Sequence, residues 1–268
     1  MTSSKAISSE TVVSEVMLPK QFITATGLPS RVVGGQTSRQ SLSPQLEPAA
    51  PFNGFNLALH VGDDAMMVHQ QRIELLKSLQ SFGVQRLVWL EQTHSNDVQV
   101  VTSSAHFSPV HADALITREA GVACMIMTAD CLPIVLSNID GSEVACIHAG
   151  WRGLLNGIIE NTINHMQTPA THSWLGAAIG ACHFEVGAEV YDLFMQQNPQ
   201  NQAAFKAQPA DKYLADLYLL AKIRLKDCHI EHITGGEACT YQQSSQFYSY
   251  RQQSHTGRMA TFVMIRPN

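Results

Sequence analysis

An α/β sandwich is the fold this sequence predicts, and three observations predict it. Segments with a strand-like apolar run alternate along the chain with segments of helical period. Two β-branched runs, residues 132–136 and 144–147, flank Asn138-Ile139-Asp140-Gly141 and read as a buried hairpin. Strands and helices interleave rather than segregate, which favours sheets layered by helices. No internal repeat appears, and no linker beyond residue 52 divides the chain. Residues 1–20 therefore read as a polar, poorly ordered lead-in, and residues 21–268 as one domain.

The elements follow in order. Residues 21–26 form a first strand, and a loop rich in Gly, Ser and Pro, including Arg31 and Gly34-Gly35, runs on through Pro51. A loop of that length is typically functional or disordered, and covering a site is one use for it. Asp63 or Asp64 caps a helix over 66–82, where Ile73, Leu76 and Leu79 share one spacing and Leu75 and Phe82 another; Gly83 stops it. Residues 86–90 and 97–101 are strands joined by Glu91-Gln92-Thr93-His94-Ser95-Asn96. Further strands over 113–117 and 121–127 lead into the hairpin. Helices are expected over 154–166, 187–197 and 213–227, and strands over 174–179, 230–234 and 259–265. A Tyr-rich loop with Tyr241, Tyr248, Tyr250 and Arg251 precedes the last strand.

Bulk properties narrow the function. The 268 residues are 45% hydrophobic and 15% charged, with a net charge of -5. That balance gives no basic footprint for nucleic acid and argues against anionic membranes. The start of the chain carries Glu10 and Glu15 where a secretory signal needs an apolar region, and no apolar run is long enough to span a bilayer. The six cysteines lack a C-x-x-C pair, and four of them lie in or beside apolar runs. Reduced thiols in a soluble cytoplasmic protein are the expectation.

The hairpin carries the chemistry. With Asp140 and Gly141 as turn centres, both free to take positive φ, His148 faces Pro133 and Cys131 faces Gly150. Cys131 and His148 then share a face at the open end of the hairpin, as diagonal neighbours roughly 7–8 Å apart. A thiol and an imidazole aimed at one spot bind a metal or form a nucleophile–base pair. Among the twelve histidines, His94 also stands out, at the end of an apolar strand in a polar loop where a site can be built. Asp130, beside Cys131, reads either as a support or proton shuttle for the site or as a strand-end group bonding local amides. Arg152, in the Ala-Gly-Trp-Arg-Gly-Leu turn that enters a helix, reads as an anion contact or as an ordinary surface cation; Trp151 reads equally as packing.

At these residues the sequence resembles the YfiH/DUF152 family, the bacterial relatives of the human laccase-domain protein. The shared pieces include Asn56-Leu57, His60-Val61-Gly62-Asp63, Val88-Trp89-Leu90-Glu91-Gln92-Thr93-His94 and Ala112-Asp113-Ala114. They continue through Thr128-Ala129-Asp130-Cys131, His148-Ala149-Gly150-Trp151-Arg152-Gly153, Ser249-Tyr250-Arg251 and Thr256-Gly257-Arg258-Met259. Ser95 and Gln252-Gln253 depart from the family pattern. The resemblance implies a zinc held by His94, Cys131 and His148, two imidazoles and one thiolate, which leaves the open fourth position of a catalytic zinc. It implies mixed sheets flanked by helices, similar to cysteine-hydrolase toxin domains.

The resemblance also implies an activity: phosphorolysis of adenosine, inosine or methylthioadenosine with inorganic phosphate as co-substrate, together with adenosine deamination. Cys131, His148, Asp130 and Arg152 are expected to be catalytic, and Asn56, Arg152 and Arg251 to contact a small nucleoside or nucleotide-linked substrate. The alternatives are a peptidoglycan-editing amide hydrolase acting on a nucleotide-linked muropeptide precursor, which includes a metal-free Cys131–His148 dyad, a copper-dependent polyphenol oxidase, and a non-catalytic metal-stabilised module. A copper cluster needs more ligands than these three, although copper binding in vitro is expected.

Overall fold

Alternation along the buried strands decides the architecture, because successive side chains point to opposite faces. The computed structural model describes residues 18–43, 45–46, 48–102 and 110–267. Of the lead-in expected over 1–20, residues 1–17 lie outside the described residues, as does His106; Leu18, near its end, is buried. In chain order the elements are β1 (Phe22–Thr24), β2 (Val32–Thr37), α1 (Ala65–Gln80), β3 (Arg86–Val88), β4 (Leu90–Glu91), β5 (Val98–Val101) and β6 (Val110–His111). Next come β7 (Ala114–Thr117), β8 (Val122–Thr128), β9 (Leu132–Asn138), β10 (Val144–Ala149), α2 (Trp151–Leu155), α3 (Ile158–His165), β11 (Ala170–Leu175) and β12 (Glu185–Gly187). The chain ends with α4 (Ala188–Gln197), β13 (Phe205–Gln208), β14 (Lys212–Ala215), α5 (Leu217–Asp227), β15 (His232–Gly235) and β16 (Met259–Ile265).

Two mixed sheets carry the molecule, ordered β1-β2-β16-β8-β3 and β15-β11-β9-β10-β7-β5. Each has a parallel edge pair, β3 with β8 and β5 with β7, on an otherwise mostly antiparallel body. Cys124, Ile126, Val263 and Ile265 of the first sheet pack against Leu115, Val135, Val144, Cys146 and Trp174 of the second. The residues between them in sequence face outward. Ala123, Met125, Phe262 and Met264 meet Leu75 and Leu79 of α1, while Ile134, Leu136, Ala145 and Ile147 meet Leu154, Ile158, Phe194 and Leu220 of α2 to α5. The result is four layers, helix, sheet, sheet and helices. Each fully buried Leu, Ile, Phe or Met contributes about 1.5–3 kcal/mol of transfer free energy. No described helix is long and apolar enough to cross a membrane.

The hairpin has the predicted register, with Pro133 opposite His148 and Leu136 opposite Ala145. Its turn differs. Gly141 is left-handed (φ +67°) but Asp140 is not. The loop is closed instead by the Asn138 side chain, which accepts from the Glu143 N–H, and by the Asp140 carboxylate, which accepts from the Ser142 N–H and hydroxyl. The loop grows by one residue on each side, so the register survives.

Four expectations are corrected. The loop read over 27–51 contains β2, whose six residues are all buried between β1 and β16, so that part of it is not a cover over the site. Gly34-Gly35 hid it: a Cβ on Gly35 would stand 2.6 Å from the Ile23 carbonyl, so the close approach of β1 requires glycine. The helix expected over 154–166 is two helices, split at left-handed Gly157 (φ +79°). The helix expected from Tyr213 begins at Leu217, where the Asp216 carboxylate accepts from the Leu219 N–H; residues before it are β14, paired with β12 and β13. The strand expected over 174–179 is β11, four residues earlier at its start and ended by Leu175.

Candidate metal centre

Val144 and Cys146 point into the core between the sheets, and His148 continues that row to the end of β10, only 4% exposed. On β9 the facing row Val135 and Pro133 leads back to Cys131, just before the strand. Gly150 follows, and a Cβ there would meet Cys131 Sγ at 3.0 Å and His94 Cδ2 at 3.2 Å. The third donor arrives from the loop between β4 and β5, where His94 is left-handed (φ +60°); Asp130 is left-handed too (φ +94°). Two such non-glycine residues beside one cluster are held by the surroundings, since each costs on the order of 1–3 kcal/mol.

His94, Cys131 and His148 present donor atoms that all lie within 4.8 Å of one another. Cys131 Sγ is 3.9 Å from His94 Nε2, and the two imidazoles meet edge to face with centroids 4.8 Å apart. A tetrahedral zinc holding sulfur and nitrogen would set those two atoms about 3.6 Å apart. Two imidazoles and a thiol at these separations fit such an ion with a modest contraction. This is the one cluster of three or more His, Cys, Asp or Glu donors among the described residues.

Asp113 organises the cluster. Wholly buried, it accepts from His148 Nδ1 at 2.7 Å, from the N–H groups of Thr93, His94 and Ser95, and from the Ser95 hydroxyl at 2.8 Å. One carboxylate thus fixes the loop that carries His94 and turns the Nε2 of His148 towards the centre. The sequence contained Ala112-Asp113-Ala114 before an apolar strand, but nothing local tells that this carboxylate reaches two residues of the cluster. Burial opposes ionisation of Asp113, yet the His148 hydrogen bond and charge and the Ser95 bonds outweigh it and hold the carboxyl below the usual carboxylate range. Burial likewise opposes charge on Cys131 and His148. Their mutual attraction prevails, pulling the thiol down to about 6 and raising the imidazole to about 9, with Asp113 adding to the latter.

The other expected residues are placed as follows. Asp130 spends its carboxylate on the Thr240 hydroxyl and the Arg251 N–H, both at 2.6 Å, so it ties the Cys131 turn to two points of the long loop between β15 and β16. Arg251 extends away, donating to the Glu185 carbonyl beside the Phe184 ring. Arg152 is exposed and stacks on the Trp151 ring 4.3 Å away, and Trp151 packs on the outer core. The helix behind it is five residues long, too short for much of a macrodipole. Asn56 is wholly buried, with its amide engaged by Ala58, Asp63 and the Arg258 N–H. It is in no position to touch a substrate directly.

A sequence profile described as "Multi-copper polyphenol oxidoreductase laccase" matches residues 43–266. The protein named "Purine nucleoside phosphorylase YfiH" from Escherichia coli (strain K12) is 43% identical over 219 residues, covering 80% of this chain and 88% of its own. A Pseudomonas aeruginosa protein, also named a purine nucleoside phosphorylase, is 40% identical over 242 residues, 89% of this chain and 95% of its own. The crystal structure of Neisseria meningitidis NMB0706, described as DUF152, superposes with a TM-score of 0.85 at 36% identity, covering 92% of this chain and all of that one.

Proposed function

This chain belongs to the YfiH/DUF152 laccase-domain family, and from that premise we propose that it is a zinc-dependent purine nucleoside phosphorylase that also deaminates adenosine. The single observation that carries the proposal is the His94–Cys131–His148 cluster backed by Asp113, in a chain whose relatives are named purine nucleoside phosphorylases. In phosphorolysis a phosphate oxygen bonds to C1′ of the ribose as the C1′–N bond to the base breaks. The base takes a proton, and the products are free base and ribose 1-phosphate. A bound zinc would supply a fixed positive charge that polarises a substrate or water oxygen.

The chain's own groups orient and bind. Asp113 holds His148 and the His94 loop in place, and Asp130 acts as a clamp between the Cys131 turn and the Arg251 loop. Arg152 stands as a substrate contact at the rim, and Arg251 becomes one only on releasing the Glu185 carbonyl. The substrate is a small nucleoside, with neither nucleic acid nor membrane as partner, in keeping with the charge of -5, and the setting is cytoplasmic. Elemental analysis of the parent and Cys131→Ala, each assayed on adenosine plus phosphate, tests this. One zinc per parent chain, lost together with hypoxanthine or adenine release in the variant, supports it. Stoichiometric zinc without release of either base sinks it.

A second reading has its own observation. His148 bonds Asp113 through one ring nitrogen and neighbours Cys131, giving the thiol, imidazole and carboxylate set of a nucleophilic cysteine. It suits an amide hydrolase acting on a nucleotide-linked muropeptide precursor, and the fold expected to be similar to cysteine-hydrolase toxin domains would belong with it. Alkylation separates the two. A metal-bound Cys131 reacts with iodoacetamide only after chelation, whereas a free dyad reacts at once at pH 7, because the charge and hydrogen bonds of His148 and His94 pull its thiol well below the usual range. The polyphenol oxidase in the family's description would need donors beyond these three to assemble several coppers.

A further inference from the structure

The protein is acidic overall, yet two arginines converge on His60, and one of them, Arg258, stands beside the cluster. Burial and the charges of Arg258 and Arg72 hold the His60 imidazole below its usual range, with Glu91 as the one acid opposing them. Arg258 precedes Met259, which pairs with Thr128, so it sits across from the Asp130–Cys131 turn, close enough for both charges to act on its guanidinium.

Its surroundings are unusual for a half-buried arginine. Arg118 and Arg224 have carboxylate partners, Glu143 and Glu160. Arg72 is spent on the Leu57 carbonyl, Met127 Sδ and the face of Trp89, 4.1 Å away. Arg258 has no carboxylate partner among the described residues. Its Nη1 donates to the carbonyls of Thr256 at 2.8 Å and Gly257 at 3.0 Å, and Tyr250 covers one side at 5.7 Å. Among the described residues Nε and Nη2 have no hydrogen-bond partner, and they are not sealed from solvent. The backbone that carries this open edge is pinned on both sides, its N–H to Asn56 Oδ1 at 3.0 Å and its carbonyl to the Leu57 N–H at 3.3 Å. A guanidinium taken partly out of water, rigidly mounted and left one planar edge short of partners, fits a forked oxyanion. Nothing comparable surrounds Arg152, which is exposed and lacks an anchor beyond its neighbouring ring.

We propose that Arg258, mounted by Asn56, is the phosphate-holding group of this site, binding a tetrahedral phosphate through its free Nε–Nη2 edge beside the His94–Cys131–His148 cluster. Asn56 then acts as a positioning residue. The phosphate is either inorganic phosphate or the phosphate of a nucleotide. The first source rests on the phosphorylase reading, and the second does not.

Zinc-loaded parent, Arg258→Gln, Arg258→Lys and Arg152→Gln are titrated with inorganic phosphate and with ADP by calorimetry, and assayed for phosphorolysis with phosphate and nucleoside varied separately. Losing a charge-assisted fork raises the phosphate Kd and KM roughly 10- to 100-fold in Arg258→Gln. The nucleoside KM moves within about twofold, and zinc content and Tm stay at the parent values. Arg258→Lys keeps the charge but not the fork and falls between parent and Arg258→Gln, which preserves the test if Arg258→Gln folds poorly. Binding of ADP through Arg258 in a parent that performs no phosphorolysis supports the site while removing the phosphorylase reading. Phosphate Kd and KM unchanged in Arg258→Gln, a larger loss in Arg152→Gln, or a parent that binds neither probe at millimolar concentration each overturns the proposal.

Discussion

Two thiol–imidazole pairs flank Asp130, and they differ in what stands behind them. Cys131 approaches His94 and His148, and His148 is buried with the Asp113 carboxylate on its far nitrogen. Cys239 lies 3.5 Å from His183 Nδ1, half-buried, and its sulfur accepts from the N–H groups of Gly180 at 3.2 Å and Gln242 at 3.4 Å. His183 stacks on Tyr241, and no carboxylate stands behind it among the described residues. The pairs are linked, since Thr240, next to Cys239, bonds the Asp130 carboxylate next to Cys131. Residue types alone therefore do not make a metal centre. A third donor and a buried anion that fixes the ring make the difference.

The largest effect should separate the two sulfurs. Cys131→Ala removes one of three donors, and the expected result is a protein with less than a tenth of the parent's bound metal. Cys239→Ala loses two N–H contacts and the His183 contact to sulfur, which together cost about 1 kcal/mol. Its metal stoichiometry should equal the parent's in side-by-side elemental analysis. Comparable metal loss in both variants would erase the distinction.

Asp113→Asn comes next, because it tests the anion rather than a donor. The amide cannot accept from His148 and from three backbone N–H groups as a carboxylate does. Metal affinity should fall roughly 10- to 100-fold, read by competition with a chromogenic chelator. The acid limb of stability sharpens the point. The folded carboxyl is held below its unfolded value, so its contribution is full above the usual carboxylate range and is lost as pH falls through that range and below it. Denaturant melts of metal-free protein between pH 6 and 3 should show a shallower loss in Asp113→Asn than in the parent.

How far the sequence reveals this depends on how local each cause is. The hairpin register needed only two apolar runs and a central turn, so the Cys131–His148 pairing was readable even though the turn took another form. The strand Met259–Ile265 was readable for the same reason. β2 was not, because Gly34-Gly35 answers to the neighbouring Ile23 carbonyl rather than to its own strand propensity. β14 was not, because Tyr213 and Leu214 keep a helical spacing with α5 and only the Asp216 cap marks the true start. Asp113 and Arg258 act across the fold, on residues 18 to 35 positions away in one case and about 200 in the other. Their roles are written in tertiary contacts, which a single sequence shows only as unexplained polar residues beside apolar strands.

The finest contrast lies in two glycines, one pressed on each sulfur. A Cβ on Gly150 would stand 3.0 Å from Cys131 Sγ and 3.2 Å from His94 Cδ2; one on Gly180 would stand 3.0 Å from Cys239 Sγ and 3.1 Å from its Cβ. Neither glycine is left-handed, so backbone conformation does not forbid alanine at either place. The steric insult is nearly the same, and only its consequence differs. At Gly150 the added methyl wedges between two donors that must converge, and a displacement of a few tenths of an ångström spoils a tetrahedral site. At Gly180 it displaces one half-buried thiol that belongs to no three-donor cluster among the described residues. Gly150→Ala should weaken metal binding several-fold with a small change in Tm, whereas Gly180→Ala should leave metal affinity at the parent value and alter only the alkylation rate of Cys239. Equal metal affinities in the two variants would mean that the Cys131 site is loose enough to absorb the methyl, and that Gly150 is there for the turn into α2 instead.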